Sequence, residues 1–197
     1  MNPEPLSSIY TRYQTDGARG WGDKSTTHSY IPVYEMLLAP YRRRGVQMLE
    51  VGVASGMSLR MWREYFSEGD VWGVDLSPTP LPGCDLTGLA AEMNHRLCFF
   101  DACNRGEADR NFAGRQFDVI IEDASHTLEA QKAIWLNLSR YLAKDGLYVI
   151  EDVEHLPELM LWLCRSIPSR YIQVIDLRAK KSRFDDVLVV VRQHLQL

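Results

Sequence analysis

Two acidic runs and one histidine are the side chains of this sequence best placed by type and spacing to do chemistry. Glu122-Asp123-Ala124-Ser125-His126 closes the apolar stretch Phe117–Asp123, and Glu151-Asp152 closes another, Gly146–Val153. Carboxylates gathered at neutral pH repel one another unless a cation sits among them. An all-oxygen set made of Asp123, Glu151 and Asp152, with room for water and substrate oxygens, suits Mg²⁺ or another hard divalent ion. Neighbouring residues on a strand point to opposite faces, so Glu151 and Asp152 converge only if the chain turns there. His126, three residues beyond Asp123, reaches the same mouth. An imidazole of ordinary pKa, about 6.5, can take a proton from a hydroxyl held at such an ion. The plainer alternative has His126 capping the helix that follows and the acids solvated at their strand ends. Glu122 is assigned to structure, facing away from Asp123, and His155 to the surface near the mouth.

A second constellation lies earlier, in Leu49-Glu50-Val51-Gly52-Val53-Ala54-Ser55-Gly56. Gly52 and Gly56 bracket a strand-to-helix turn in which a ligand can approach the backbone and the helix N-terminus. The spacing is E-x-G-x-x-x-G, not the G-x-G-x-x-G of dinucleotide binders. Asp75, closing the next strand, can accept from both ribose hydroxyls of an adenosine ligand, and Asp101 follows the third strand near where an adenine would lie. Both acids could instead cap the helices after them. Glu50, inside an apolar strand, needs donors or a cationic ligand nearby. S-adenosylmethionine, which carries an ammonium and a sulfonium, suits that acidic turn better than a pyrophosphate.

These residues need a scaffold that brings strand ends together. Val46–Val53, Val71–Leu76, Leu97–Phe100, Phe117–Asp123 and Gly146–Val153 are short apolar runs of the kind that form buried strands. Helical patterns at 55–66, 106–114 and 127–143 alternate with them, which implies a parallel sheet covered on both faces. After a helix at 156–166, Tyr171–Leu177 and Asp186–Arg192 are separated only by the polar stretch 178–185, too short for a crossover helix, so they should pair antiparallel. The expected fold is α/β: a Rossmann-like, doubly wound, mostly parallel sheet ending in an antiparallel β-hairpin. Pro32 opens a helix over PVYEMLLAPYRRR. Residues 1–31 show little periodicity, and Asp23–Tyr30 reads as a disordered lead-in or a loop folding over a ligand. The division expected is an N-terminal cap over residues 1–45 and a ligand-binding domain over 46–197. Trp62, Trp72, Trp135 and Trp162 fall at core positions; Trp21 is the exception.

Composition narrows the partners. The 197 residues carry 22 Lys plus Arg against 26 Asp plus Glu, a net charge of -4, so no broad basic face for nucleic acid is expected. No apolar run approaches the roughly 18 residues of a membrane span, and MNPEPLSSIYTRYQ lacks the pattern of a signal peptide. The four cysteines form neither C-x-x-C nor zinc spacing, and are expected to be reduced, mostly buried thiols of a cytoplasmic protein.

The stretches GDKSTTHSYIPVYEMLLAPYR, MLEVGVASGMSLRMWREYF, VWGVDLSP, FDVIIEDASH, GLYVIEDVEH and DLR…RFDDVLVVV resemble the class I S-adenosylmethionine-dependent methyltransferases. More closely, the chain resembles the metal-dependent sugar O-methyltransferases of macrolide and rhamnosyl-polyketide pathways, with which cephalosporin-hydroxylase-like proteins share the pattern. That resemblance implies cofactor contacts from Glu50, Gly52, Gly56, Asp75 and Asp101, and from Lys24 and Tyr30 covering the methionine end. It implies metal ligation by Asp123, Glu151 and Asp152, with His126 as general base. Ala124 stands where the family often has glycine. Larger members of the family carry an additional N-terminal assembly domain, so their oligomeric state is not carried over; homodimerisation is only the default for an enzyme of this size. The expected acceptor is a small-molecule hydroxyl, on a glycoside. A catechol-like acceptor, a non-catalytic S-adenosylmethionine binder and, last, a nicotinamide-dependent oxidoreductase are the competing readings.

Overall fold

The computed structural model describes residues 4–15, 22–42 and 45–192. Seven strands form one sheet: β1 (Gln47–Val51), β2 (Asp70–Asp75), β3 (Leu97–Phe99), β4 (Phe117–Glu122), β5 (Leu142–Ile150), β6 (Ile172–Asp176) and β7 (Val187–Arg192). Their order is β3-β2-β1-β4-β5-β7-β6. Strands β1 to β5 are parallel, and β7 runs antiparallel between β5 and β6. The order reverses between β1 and β4, which opens the crevice where such sheets take their ligands.

The central strands are apolar on both sides because both faces are covered. On one face Met48, Val119, Ile121, Leu147, Val149, Leu188 and Val190 pack under α1 (Leu6–Thr15), α2 (Ile31–Leu38) and α3 (Met57–Tyr65). The other face presents Leu49, Val51, Ile120, Tyr148 and Ile150 to α5 (Arg105–Phe112), α6 (Leu128–Leu138) and α7 (Leu156–Leu163). The alternation decides where the acids go. Asp123 and Glu151 continue the face of Ile121 and Val149, under α2, while Glu122 continues the opposite face.

Several elements differ from the sequence expectation. The N-terminal region holds a full helix, α1, whose Leu6, Ile9 and Tyr10 are buried and whose Tyr13 is partly buried, at i, i+3, i+4 and i+7. Fully burying such side chains stabilises by about 1.5–3 kcal/mol each, enough to hold a short helix that propensity alone would not. Glu35 of α2 accepts from the Leu6 amide and so satisfies an orphan donor at the start of α1. A short helix, α4 (Thr87–Glu92), stands between β2 and β3, and another, α8 (Arg178–Lys181), within the β6–β7 connection. Helix α2 gives way to a 3₁₀ turn at Ala39–Tyr41, and α6 to one at Ser139–Tyr141, so β5 begins at Leu142, four residues earlier than expected. The cysteines are free but not mostly buried: Cys103 and Cys164 are exposed, Cys84 and Cys98 half-buried. Trp62 and Trp72 are buried, and Trp135 and Trp162 pack against the second core; Trp21 lies outside the described residues. Among those residues no helix is long and apolar enough to cross a membrane.

Candidate active site

The carboxyl ends of β2, β1 and β4 frame a cavity of about 370 Å³. Its walls include Gly52 and Ala54 from the turn after β1, Asp75 and Leu76 after β2, Phe100 and Asp101 after β3, and Asp123 to Ser125 after β4. Gly52 has φ +88°, and a Cβ there would stand 1.9 Å from the carbonyl oxygen of Asp123. The two turns touch backbone to backbone, and only glycine fits. Asp75 is fixed by that same turn: its Oδ2 accepts from the amides of Val53 at 2.8 Å and Ala54 at 2.9 Å, its Oδ1 from the amide of Leu76. Gly56, also left-handed at φ +79°, faces not the cavity but Leu89, whose methyl would lie 2.5 Å from a Cβ. Glu50 points into the α3 side of the sheet, where Trp62 Nε1 donates at 2.9 Å and Ser58 Oγ at 3.0 Å. Burial pushes its carboxyl up to about 7, against the pull of Lys24 and these donors.

The second cluster forms where β4 and β5 end side by side. Asp152 has φ +50°, so the chain turns at the point where the two adjacent acids need it to turn. Glu151 stays on the α2 face. Asp152 comes back toward the mouth, where its Oδ2 lies 3.7 Å from His126 Nε2. One donor atom each from Asp123, His126 and Asp152 lie within 4.8 Å of one another. Lys24, only 2% exposed, donates from Nζ to Asp123 Oδ2 at 2.7 Å and to Glu151 Oε1 at 2.6 Å. Tyr34 donates to the same Glu151 oxygen at 2.6 Å, and Tyr30 to Asp152 Oδ1 at 2.5 Å. Burial first, and then Asp123, raise the carboxyls of both Glu151 and Asp152 above the usual range. For Lys24, burial works against the ammonium, but Asp123 and Glu151 outweigh it and hold the pKa well above its ordinary value. These acids demand positive charge. The converging donors of Asp123, His126 and Asp152 fit a divalent ion, while the Glu151 oxygen that Lys24 and Tyr34 occupy lies outside that group.

The capping alternatives are decided by the helix starts. Thr127, not His126, caps α6, through a bond from the Ala130 amide. Asn104, not Asp101, caps α5, accepting from the amides of Gly106 and Glu107. His126 keeps a buried Nδ1 without a hydrogen-bond partner among the described residues. Of the residues expected at the cofactor, Gly52, Asp75 and Asp101 line the cavity. Lys24 and Tyr30 do not; their polar ends are committed to the acids, because the segment 22–30 crosses the ends of β4 and β5 rather than the cavity mouth. Glu50 and Gly56 act from behind the turn.

Three further residues belong to the cluster and were not singled out in the sequence. Tyr34 supports Glu151. His28, 3% exposed, stacks on Tyr30 at 4.8 Å and sets Nδ1 3.3 Å from Asp152 and 3.5 Å from the fully buried Asp186. Lys181 donates to the carbonyls of Ser25, Thr26 and His28, clasping the segment from the β6–β7 connection. For His28 the hint in the sequence is the run DKSTTHSY, read as a disordered lead-in or a loop folding over a ligand; Tyr34 and Lys181 carry no comparable mark.

Residues 49–153 match the family model described as "Methyltransferase domain", and the chain belongs to this family. It is 30% identical over 164 residues to the 8-demethyl-8-(2-methoxy-alpha-L-rhamnosyl)-tetracenomycin-C 3'-O-methyltransferase of Streptomyces olivaceus, covering 77% of this chain and 37% of that protein. A second protein of that organism, the 8-demethyl-8-alpha-L-rhamnosyl tetracenomycin-C 2'-O-methyltransferase, is 32% identical over 69% of this chain and 36% of its own. The chain thus spans a little over a third of the length of the curated relatives it matches. Among solved structures it is similar to MycE methyltransferase of the mycinamycin biosynthetic pathway, in complex with Mg, SAH and mycinamycin VI, with a TM-score of 0.68 at 23% identity over 97% of this chain and 55% of that one. That likeness supports the fold: a class I methyltransferase sheet.

Proposed function

We propose that this protein is an S-adenosylmethionine-dependent, divalent-metal-dependent O-methyltransferase acting on a hydroxyl of a sugar or glycosylated natural product. The observation that carries the reading is the convergence of Asp123, His126 and Asp152, with Asp123 also lining the cavity that the Gly52 turn borders. The names of two relatives supply the acceptor class: each is an O-methyltransferase of a rhamnosyl tetracenomycin-C. Asp75, immobilised by the glycine turn, receives the ribose hydroxyls, and Asp101 lies toward the base. Asp123 and Asp152 would hold the ion, with Glu151, bonded to Lys24 and Tyr34, beside them. When bound, the ion stabilises negative charge on the acceptor oxygen, and the cofactor supplies an electrophilic methyl group. His126 Nε2 accepts the hydroxyl proton, and Asp152 at 3.7 Å stabilises the imidazolium that results. The Gly52–Asp123 contact locks cofactor turn and acid cluster in one geometry, so both reactants are held by a single rigid edge.

Calorimetric titration of chelator-treated protein with S-adenosylmethionine, with NAD as control and with Mg²⁺ added back, tests this. Binding of the first ligand alone, followed by Mg²⁺-dependent methyl transfer to a glycoside panel and not to catechols, is the expected result. Failure to bind S-adenosylmethionine with or without Mg²⁺ refutes the reading.

A further inference from the structure

We propose that Lys24 is a resident counter-cation of the acid cluster, one that weakens divalent-ion binding and holds the site to a single ion; the inference rests on the metal-binding reading above. Its ammonium is buried between Asp123 and Glu151 at 2.7 and 2.6 Å. A buried ammonium is costly unless it is paired. The position is built rather than adopted by a loose side chain. The Thr27 and His28 amides donate to the Asp23 carbonyl, the Tyr30 amide to the Lys24 carbonyl, and Lys181 grips three carbonyls of the same segment.

Charge gives the consequence. With all three ionised around a bound ion, Asp123, Glu151 and Asp152 together with Lys24 leave two net negative charges, which one divalent ion neutralises. Without Lys24 the same acids carry three, and the gap between Asp123 and Glu151 opens to a further cation. Whether the ammonium stays beside the ion or is displaced by it, its like charge opposes ion binding. Removing that charge while keeping a hydrogen-bond donor should therefore tighten ion binding, which a merely structural lysine would not do. At a few ångströms, one unit charge acting on a divalent ion is worth roughly tenfold or more in affinity, even at a high effective dielectric.

Mn²⁺ titration by calorimetry tests this on the wild type, Lys24→Gln and Lys24→Arg. Lys24→Gln should bind at least roughly tenfold tighter and take up more than one ion at saturation, while Lys24→Arg stays within a few-fold of wild type. The metal-free Lys24→Gln protein should melt lower than wild type and gain more from Mn²⁺. Melting across a Mn²⁺ series yields the same ranking if that variant is unfolded without the ion. Equal or weaker ion binding by Lys24→Gln overturns the proposal, as does equal tightening in Lys24→Arg. A wild type that binds no Mn²⁺ removes the metal reading itself, and this inference with it.

Discussion

Replacing Gly52 by alanine should disable both halves of the site through one atom. The added Cβ would sit 1.9 Å from the Asp123 carbonyl oxygen and 2.8 Å from the Ala124 Cα, where ordinary contact begins near 3.4 Å. The β1 and β4 turns must therefore part by about 1.5 Å. Separation strains the bond that joins these ends, from the Asp123 amide to the Val51 carbonyl, and, as Gly52 moves, the one that ties it to β2, from its amide to the Val74 carbonyl, both 2.8 Å. Each such bond contributes about 1 kcal/mol. Alanine at φ +88° adds about 1–2 kcal/mol of backbone strain. Together these give a loss of roughly 3–4 kcal/mol, at the high end for a single substitution. Because Asp123 moves with the turn, affinities for both S-adenosylmethionine and the divalent ion should fall by tenfold or more. Urea denaturation and two calorimetric titrations measure this. Gly56→Ala is the internal control: its Cβ meets the methyl end of Leu89, which can rotate away, so stability should drop by about 1–2 kcal/mol with ligand affinities kept. A Gly52→Ala protein within about 1 kcal/mol of wild type that binds both ligands normally would refute the argument.

His126→Ala should lower turnover by roughly 10²–10⁴-fold with S-adenosylmethionine affinity near wild type, and full activity would remove it from the mechanism. Asp75→Asn should weaken S-adenosylmethionine binding at least roughly tenfold, because a neutral amide loses charge-assisted bonds to the ribose; unchanged affinity in calorimetry would refute that assignment. Glu50, with its carboxyl pushed up to about 7 by burial, keeps its proton in the folded chain at pH values where the unfolded chain has lost it. Its contribution is therefore present below about pH 4.5 and is lost as pH rises through about 7. Glu50→Gln should abolish roughly 2–4 kcal/mol of that decline, read as a flatter stability curve between pH 5 and 8. Parallel curves for the two proteins would contradict it.

The sheet was legible because strands covered on both faces are near-continuous apolar runs, and five such runs alternate with helical patterns. The need for a turn at Glu151-Asp152 was also legible, since two adjacent acids on a strand cannot share a face, and φ +50° at Asp152 meets it. Helix α1 was hidden because two of its four inward positions, Tyr10 and Tyr13, are tyrosines among polar neighbours, which weakens the apolar signal. The cofactor role expected of Lys24 comes from the resemblance alone, and a lysine in a polar loop carries no mark of its burial. Its partners lie 99 and 127 residues away, beyond any local pattern. His28 escaped for the same reason: what buries it is Asp152 and Asp186, brought there by β5 and β7. Local sequence reports elements and the ends they offer, whereas pairings between distant polar residues become visible only once the sheet order is known.

The insertion of β7 between β5 and β6 bears on how the protein can be made. Segment 22–30 is anchored by Asp186 through the Ser29 amide and by Lys181 through three carbonyls, 153 to 157 residues further along the chain. A nascent chain can pair β1 through β5 while still on the ribosome, but the acid cluster stays without its clasp until residues 178–192 have emerged. Long-range closure of this kind is slow relative to local structure. Closure of the clasp over the acid cluster should thus follow the pairing of β1 through β5.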